Sequence, residues 1–215
     1  MTAAQLGSRA AATTVLIGLA YVVVLATGFA RHGLNEPITD PILAIMELLT
    51  FASALPLLAL FAAIHSLAEP ERRLAGALAL CFGSMFALAT MGVHLVELTA
   101  GRQLGGRGLV WPSTTYAVEL LAWDFLLGAA LLLAASAIRA DQGTRALRRW
   151  MRVTGALCIA GLIGPAVGNM RLQLIGVFGY AVLLPVVAWM LARWFRAEDL
   201  PRGAVRAEVD RGLIM

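Results

Sequence analysis

A chain of 215 residues that is 60% hydrophobic and only 14% charged has too little polar surface to cover a soluble domain. Its mean hydropathy of +0.81 points to an integral membrane protein. The formal net charge of +4 speaks for topology and anionic headgroups rather than for nucleic acid, because the basic residues are spread over short loops between apolar segments.

Six apolar stretches stand out, roughly 13–30, 42–65, 75–99, 115–138, 153–169 and 172–195. Each is near the ~20 residues a helix needs to cross the hydrocarbon core, the fifth being short. They are continuously apolar rather than alternating, which excludes barrel strands. The expected fold is an all-α, six-transmembrane-helix bundle over residues 1–196, followed by a polar cytoplasmic tail over 197–215.

The first stretch, TTVLIGLAYVVVLATGFA, carries no charge. With Arg9 ahead of it and small residues at its end it has the outline of a secretory signal, but it is too long for that apolar region and is expected to remain as a helix. The loop RHGLNEPITDP follows, with Pro41 suited to the first turn of the next helix. The second stretch ends in HSLAEPERR, and the third, LAGALALCFGSMFALATMGVHLVEL, is rich in Gly and Ala, as where helix backbones approach closely in lipid. The fourth, TTYAVELLAWDFLLGAALLLAASAI, leads into the basic loop RADQGTRALRRWMR. The fifth contains GLIGPAVGN, in which Gly164 and Gly168 have close-packing spacing. The sixth is LQLIGVFGYAVLLPVVAWMLARWFR, where Pro185, like Pro56 in the second, frees a mid-span carbonyl. Cys81 and Cys158 lie inside apolar segments without a pairing pattern and read as packing residues.

All 17 basic residues are Arg. With the N-terminus in the cytoplasm, one side holds Arg9, Arg72, Arg73, Arg139, Arg145, Arg148, Arg149, Arg152, Arg193, Arg196, Arg202, Arg206 and Arg211, and the other only Arg31, Arg102, Arg107 and Arg171. This asymmetry puts both termini in the cytoplasm. The Ala-rich, Lys-free composition leans toward a prokaryotic inner membrane.

The second and fourth stretches align without a gap, Glu47 falling on Glu119 and Arg73 on Arg145, and the sixth joins more weakly through Leu184-Pro185. That pattern suggests three up-down hairpins in parallel repeat.

Ionisable residues inside membrane segments are costly and mark function by default. Glu47 lies six residues after Pro41, roughly 9 Å below the boundary at 1.5 Å per residue. His94, Glu97, Glu119 and Asp124 sit in the same half, with Asn169, Arg171 and Gln173 at the last turn on that side. A shared interior pocket opening outward is expected, lined by Glu47, His94, Glu97, Glu119, Trp123, Asp124 and Arg171, with Arg171 as the charge partner. His94 and Glu97, three apart on one helix face, are the pair that would hold a metal if there is one. Glu119, Asp124 and His94 are the candidates for proton transfer. Glu119 and Asp124 are five apart, about 140° around an α-helix, so one faces the pocket and the other a neighbouring helix. Trp111 and Tyr116 suit an aromatic belt.

The motifs of zinc proteases, serine nucleophiles, P-loops and dinucleotide folds are absent. Two short stretches, GVHLVE and LLPVVAWMLAR, resemble the sterol-isomerase/sigma-2-receptor family. The spacing of His94 and Glu97 departs from that family's pattern and most of the chain does not match, so no family is assigned. Three functions remain open at this point. The first is binding or translocation of a small ligand or cation through the outward pocket. The second is intramembrane acid/base catalysis, of isomerase or cyclase type, on a lipid or isoprenoid. The third is a structural subunit of a membrane complex. The sequence specifies no cofactor; its expected surroundings are the lipid bilayer, and its glycine-rich helices permit a homo-oligomer.

Overall fold

The structure is a computed structural model that describes residues 1–33, 36–105 and 109–199. Most of the expected tail, with Arg202, Arg206 and Arg211, lies outside the described residues, as does Arg107. Among the described residues all regular structure is helical.

Five helices are long and apolar enough to cross a membrane: α1 (Ala3–His32), α2 (Ile42–Leu67), α3 (Pro70–Gly101), α4 (Thr114–Ala137) and, after the shorter α5, α6 (Met170–Asp199). Between them α5 (Arg145–Gly161) has 17 residues and is followed by a short helical turn at Ile163–Ala166. Apolarity marks where a helix meets hydrocarbon rather than where it ends. So α1 starts ten residues before its apolar run, closed by a Thr2/Gln5 capping box, and α5 begins within the basic segment.

The helices contact one another in ring order, α1 against α2, α2 against α3, and so on round to α6, which returns to α1. The ring is tied at its two chain ends. The Thr2 hydroxyl donates to Asp199 Oδ1 at 2.8 Å and the Gln5 side-chain amide to Oδ2 at 3.2 Å. The start of α1 and the end of α6 therefore share one face of the bundle, the arginine-rich end. The described parts of the two connections, 36–41 and 109–113, share the other, the loop end.

At the arginine-rich end the interior is solid. Phe61, Leu131, Met151, Val187, Leu191 and Phe195 are all essentially sealed from solvent, and small residues let the backbones close on them. A methyl group on Gly7 would lie 2.5 Å from the Phe195 ring. Helices α4 and α5 cross at Gly128 and Gly155, where a Cβ on Gly155 would stand 2.6 Å from the Gly128 carbonyl oxygen. Outward-facing Leu16, Val23, Leu48, Leu55, Leu88, Phe125 and Trp189 are exposed. A coat of that size on every side is what a bundle solvated by lipid carries and a water-soluble one avoids. Helices of this length with this apolar surface are the makeup of an all-helical membrane protein.

Toward the loop end the helices change pitch. Leu121–Leu126 in α4, Phe178–Leu183 in α6 and Glu97–Gly101 at the end of α3 are π-helical turns, each holding an extra residue against the α register. In α6 the widened turn ends at Leu183, just before Leu184-Pro185, and it contains Ala181, whose carbonyl four residues back Pro185 has no N–H to meet. All three widened turns surround the half of the bundle that is not filled.

Candidate functional site

Between α1, α2, α4 and α6, in the loop half, lies a cavity of about 480 Å³. Its deeper part is walled by Ile17, Leu57, Leu184 and Pro185, and Gly18 closes that wall because only a residue without Cβ fits against Pro185, at 2.6 Å. Its upper part is walled by Glu47, His94, Glu119, Trp123, Gln173 and three tyrosines, Tyr21, Tyr116 and Tyr180. Residues Glu36, Pro37 and Ile38 of the first loop and Leu109, Val110 and Trp111 of the second roof it. The site is thus an apolar trough under a polar, aromatic head.

His94 on α3 and Glu119 on α4 meet in the wall, Nε2 to Oε1 at 2.9 Å, with side-chain exposures of 4% and 15%. With hydrogen on Nε2 the imidazole donates and the carboxylate accepts. The remaining atoms of this pair, His94 Nδ1 and Glu119 Oε2, are buried and have no hydrogen-bond partner among the described residues, and the same holds for Trp123 Nε1 beside them. Leaving a buried polar atom unpaired costs about 1–3 kcal/mol, and three such atoms belong to residues of this one wall.

Trp123 is held by its neighbours, edge to face with Phe86 at 5.0 Å between ring centroids and tilted on Tyr180 at 5.1 Å. These contacts fix the indole where the widened turn of α4 turns it toward the cavity.

Glu47 is more deeply buried than Glu119, but its charge is answered. Arg102 Nη1 donates to Glu47 Oε2 at 2.7 Å and to the Glu97 carbonyl at 3.0 Å, while Nη2 reaches Asp40 at 3.2 Å. Glu97 itself is buried one turn along α3, packed on Gly101, and does not line the cavity. Asp124 has no solvent exposure at all. It faces the seam of α5 and α6, where Gly161 and Gly176 leave room for it: a Cβ on Gly176 would lie 2.5 Å from Oδ1. Gln173 links it to the cavity, donating to Asp124 Oδ2 at 3.5 Å and to the Tyr180 hydroxyl at 3.2 Å. Arg171 is exposed at the α5/α6 turn, its backbone N–H taken by the Asn169 side chain, and does not line the cavity.

Of the seven pocket residues expected from sequence, the structure brings Glu47, His94, Glu119 and Trp123 to one cavity, and sets Asp124 behind it and Glu97 and Arg171 apart. Among the described residues no three His, Cys, Asp or Glu side chains stand together as a metal site. His65 lies at the arginine-rich end of α2, on the far side from the cavity. Sequence reasoning passed over Arg102, Tyr21 and Tyr180. Arg102 had a signal, since it stands one turn past the membrane half of α3 at snorkelling distance from two acids. The tyrosines had none, because a tyrosine in an apolar run reads as packing.

No protein-family model, no curated protein and no solved structure matches the chain. The fold and cavity define a class, a helical membrane protein with a polar-headed internal cavity.

Proposed function

We propose that the chain is a six-helix bundle of a prokaryotic inner membrane, both termini cytoplasmic, that binds a small amphiphilic ligand in the cavity from the outer face. The arginine asymmetry supports that orientation. The tie between Thr2 and Asp199 agrees with termini on one side, and α5, seated between α4 and α6, supplies the sixth span.

The observation that carries the ligand proposal is the His94–Glu119 pair at the head of an apolar trough. A ligand with one polar group and one hydrocarbon part satisfies both halves; a bare cation satisfies neither the trough nor the unpaired Trp123 Nε1–H donor. Glu47 is neutralised by Arg102, which leaves Glu119 as the acid that meets the ligand. Translocation would need the Phe61/Phe195 end to open as well.

The test is native mass spectrometry of the full chain released gently from detergent, beside Glu119→Gln. A discrete organic mass on the wild type, lost or much reduced in the variant, is the expected result. A bare wild type whose thermal stability falls on Glu119→Gln overturns it and makes the acids interhelical bonds of a structural subunit.

A second reading is favoured by the same pair seen chemically. An imidazole and a carboxylate at 2.9 Å in the same cavity wall as Trp123 form an acid/base couple in a site with an aromatic ring that can stabilise developing positive charge. An intramembrane isomerase or cyclase acting on a lipid or isoprenoid would use Glu119 or His94 as proton donor and acceptor. Incubation in heavy water separates the readings: deuterium fixed on carbon in the bound molecule marks turnover, and an unlabelled ligand marks binding alone.

A further inference from the structure

At the opposite end of the bundle, Arg145, Arg148, Arg149 and Arg152 open α5 at positions i, i+3, i+4 and i+7. That spacing puts four cations on one helical face, where like charges on adjacent turns repel. The topology rule asks for positive charge at this end, but not for one face, and not for charges without partners. The partners here go elsewhere. Arg72 pairs with Glu69 at 3.7 Å, and Arg139 with Glu69 and Asp141 at 3.8 Å each. None of the four α5 arginines has an ion pair among the described residues.

These guanidinium groups line a surface cleft with Ala140, Asp141 and Gln142. Asp141 offsets only part of this charge, one carboxylate against four guanidiniums, and it pairs with none of them: its Oδ1 accepts from the Thr144 backbone N–H at 2.9 Å and the Thr144 hydroxyl at 3.1 Å, and Oδ2 lies 3.8 Å from Arg139 Nε. Arg148 is held in place by Nε donating to the Ala135 carbonyl at 2.8 Å, which pins it across the end of α4. Alongside the cleft on α5 the outward surface turns apolar, with Trp150 and Val153 exposed. A polycationic cleft at the headgroup level, with one of its four guanidiniums held in place and exposed apolar side chains beside it, is complementary to an anion that carries acyl chains.

We propose that this cleft binds the phosphate headgroup of an anionic phospholipid, with the α5 guanidiniums chelating phosphate and an acyl chain lying along Trp150 and Val153. The site is separate from the cavity, on the other face of the membrane, and stands whatever the cavity holds.

The test uses the detergent-purified full chain with added diphosphatidylglycerol, phosphatidylglycerol or phosphatidylcholine, read as lipid adducts by native mass spectrometry. The anionic lipids are expected to exceed phosphatidylcholine by on the order of tenfold, since each basic residue at the headgroup level adds attraction. Arg145→Gln/Arg149→Gln/Arg152→Gln is expected to bring them to the phosphatidylcholine level, whereas Arg9→Gln/Arg193→Gln/Arg196→Gln, an equal charge removed at the same end, leaves them in place. Equal loss in both triple variants overturns the proposal, because it makes the binding diffuse. Equal adducts of phosphatidylcholine on the wild type also overturn it, as does displacement of the lipid by millimolar inorganic phosphate. Those two arms need no variant to fold.

Discussion

Arg102 and Glu47 join the end of α3 to the loop-end part of α2 through a 2.7 Å contact between Nη1 and Oε2, in which the glutamate side chain is 3% exposed and the arginine side chain 29%. The pair lets a carboxylate stand in the wall of the cavity without an unanswered charge. Removing the cation strands the acid, and breaking a buried pair costs about 3–5 kcal/mol, less here because the arginine is partly exposed. Arg102→Ala is therefore expected to lower the melting temperature in detergent strongly. Arg102→Ala/Glu47→Gln should recover most of the loss, since the neutral amide needs no counter-charge. A double variant as unstable as the single would show that Arg102 acts through its contacts to Asp40 and the Glu97 carbonyl instead.

Buried hydroxyls offer a check with the opposite sign. Thr90 and Thr154 have no solvent exposure, and neither hydroxyl has a hydrogen-bond partner among the described residues. Replacing an unpaired polar group by an apolar one of the same shape is neutral or stabilising. Thr90→Val and Thr154→Val should leave thermal stability unchanged or raise it by up to about 1 kcal/mol. A clear fall in either would mean that its hydroxyl is partnered in the membrane, by a water or a mobile side chain.

Much of this architecture was legible because lipid enforces it. Long apolar runs announce α1 to α4 and α6, and the acids stand out because each costs energy at depth. The fifth helix was the hardest to bound, because its first two turns are basic and its last turns break at Leu162 and Pro165. In the site, His94, Glu119, Glu47 and Trp123 were named from residue type and depth. Their pairing was not, since which acid meets which base depends on helix rotation. The π-turns that set this rotation leave no periodic signal, so Asp124 behind the cavity and Arg102 on Glu47 had to be seen. Gly164 and Gly168 divide. Their spacing suggests close helix packing, and Gly164 does pack closely, a Cβ there lying 2.5 Å from the Gln173 backbone nitrogen of α6, whereas Gly168 serves the turn with φ +69°.

The Asp141 turn makes a prediction about pH at the arginine-rich end. The Thr144 backbone N–H, with help from its hydroxyl, holds the exposed Asp141 carboxyl below its ordinary value of 3.8. A depressed acid stabilises the fold above its unfolded pKa, and that contribution is lost as pH falls through the folded one. The contribution is thus complete near neutrality, and its loss with falling pH lies below pH 3.8. The difference in melting temperature between wild type and Asp141→Asn should shrink as pH falls below 4. A difference that stays constant down to pH 2.5 would remove the Asp141 charge from the stability of the turn.

The seam behind the cavity gives the sharpest steric test. Gly176 Cα faces Asp124 so closely that a methyl group there would lie 2.5 Å from Oδ1, and one on Gly161 would lie 3.0 Å from Oδ2 and 2.8 Å from Gly176 Cα. Overpacking of this kind costs about 1–3 kcal/mol, so Gly176→Ala should destabilise the protein. Part of the clash is with a side chain rather than with backbone, and that part is removable. Asp124→Ala/Gly176→Ala should be less damaging than the sum of its two single changes, a coupling expected only for residues in contact. Gly161→Ala should couple less with Asp124→Ala, because its nearest neighbour is the Gly176 backbone, which no side-chain truncation relieves. Additive losses for Asp124 and Gly176 would mean that the carboxylate does not occupy the space between α5 and α6, and would break its link through Gln173 to the cavity.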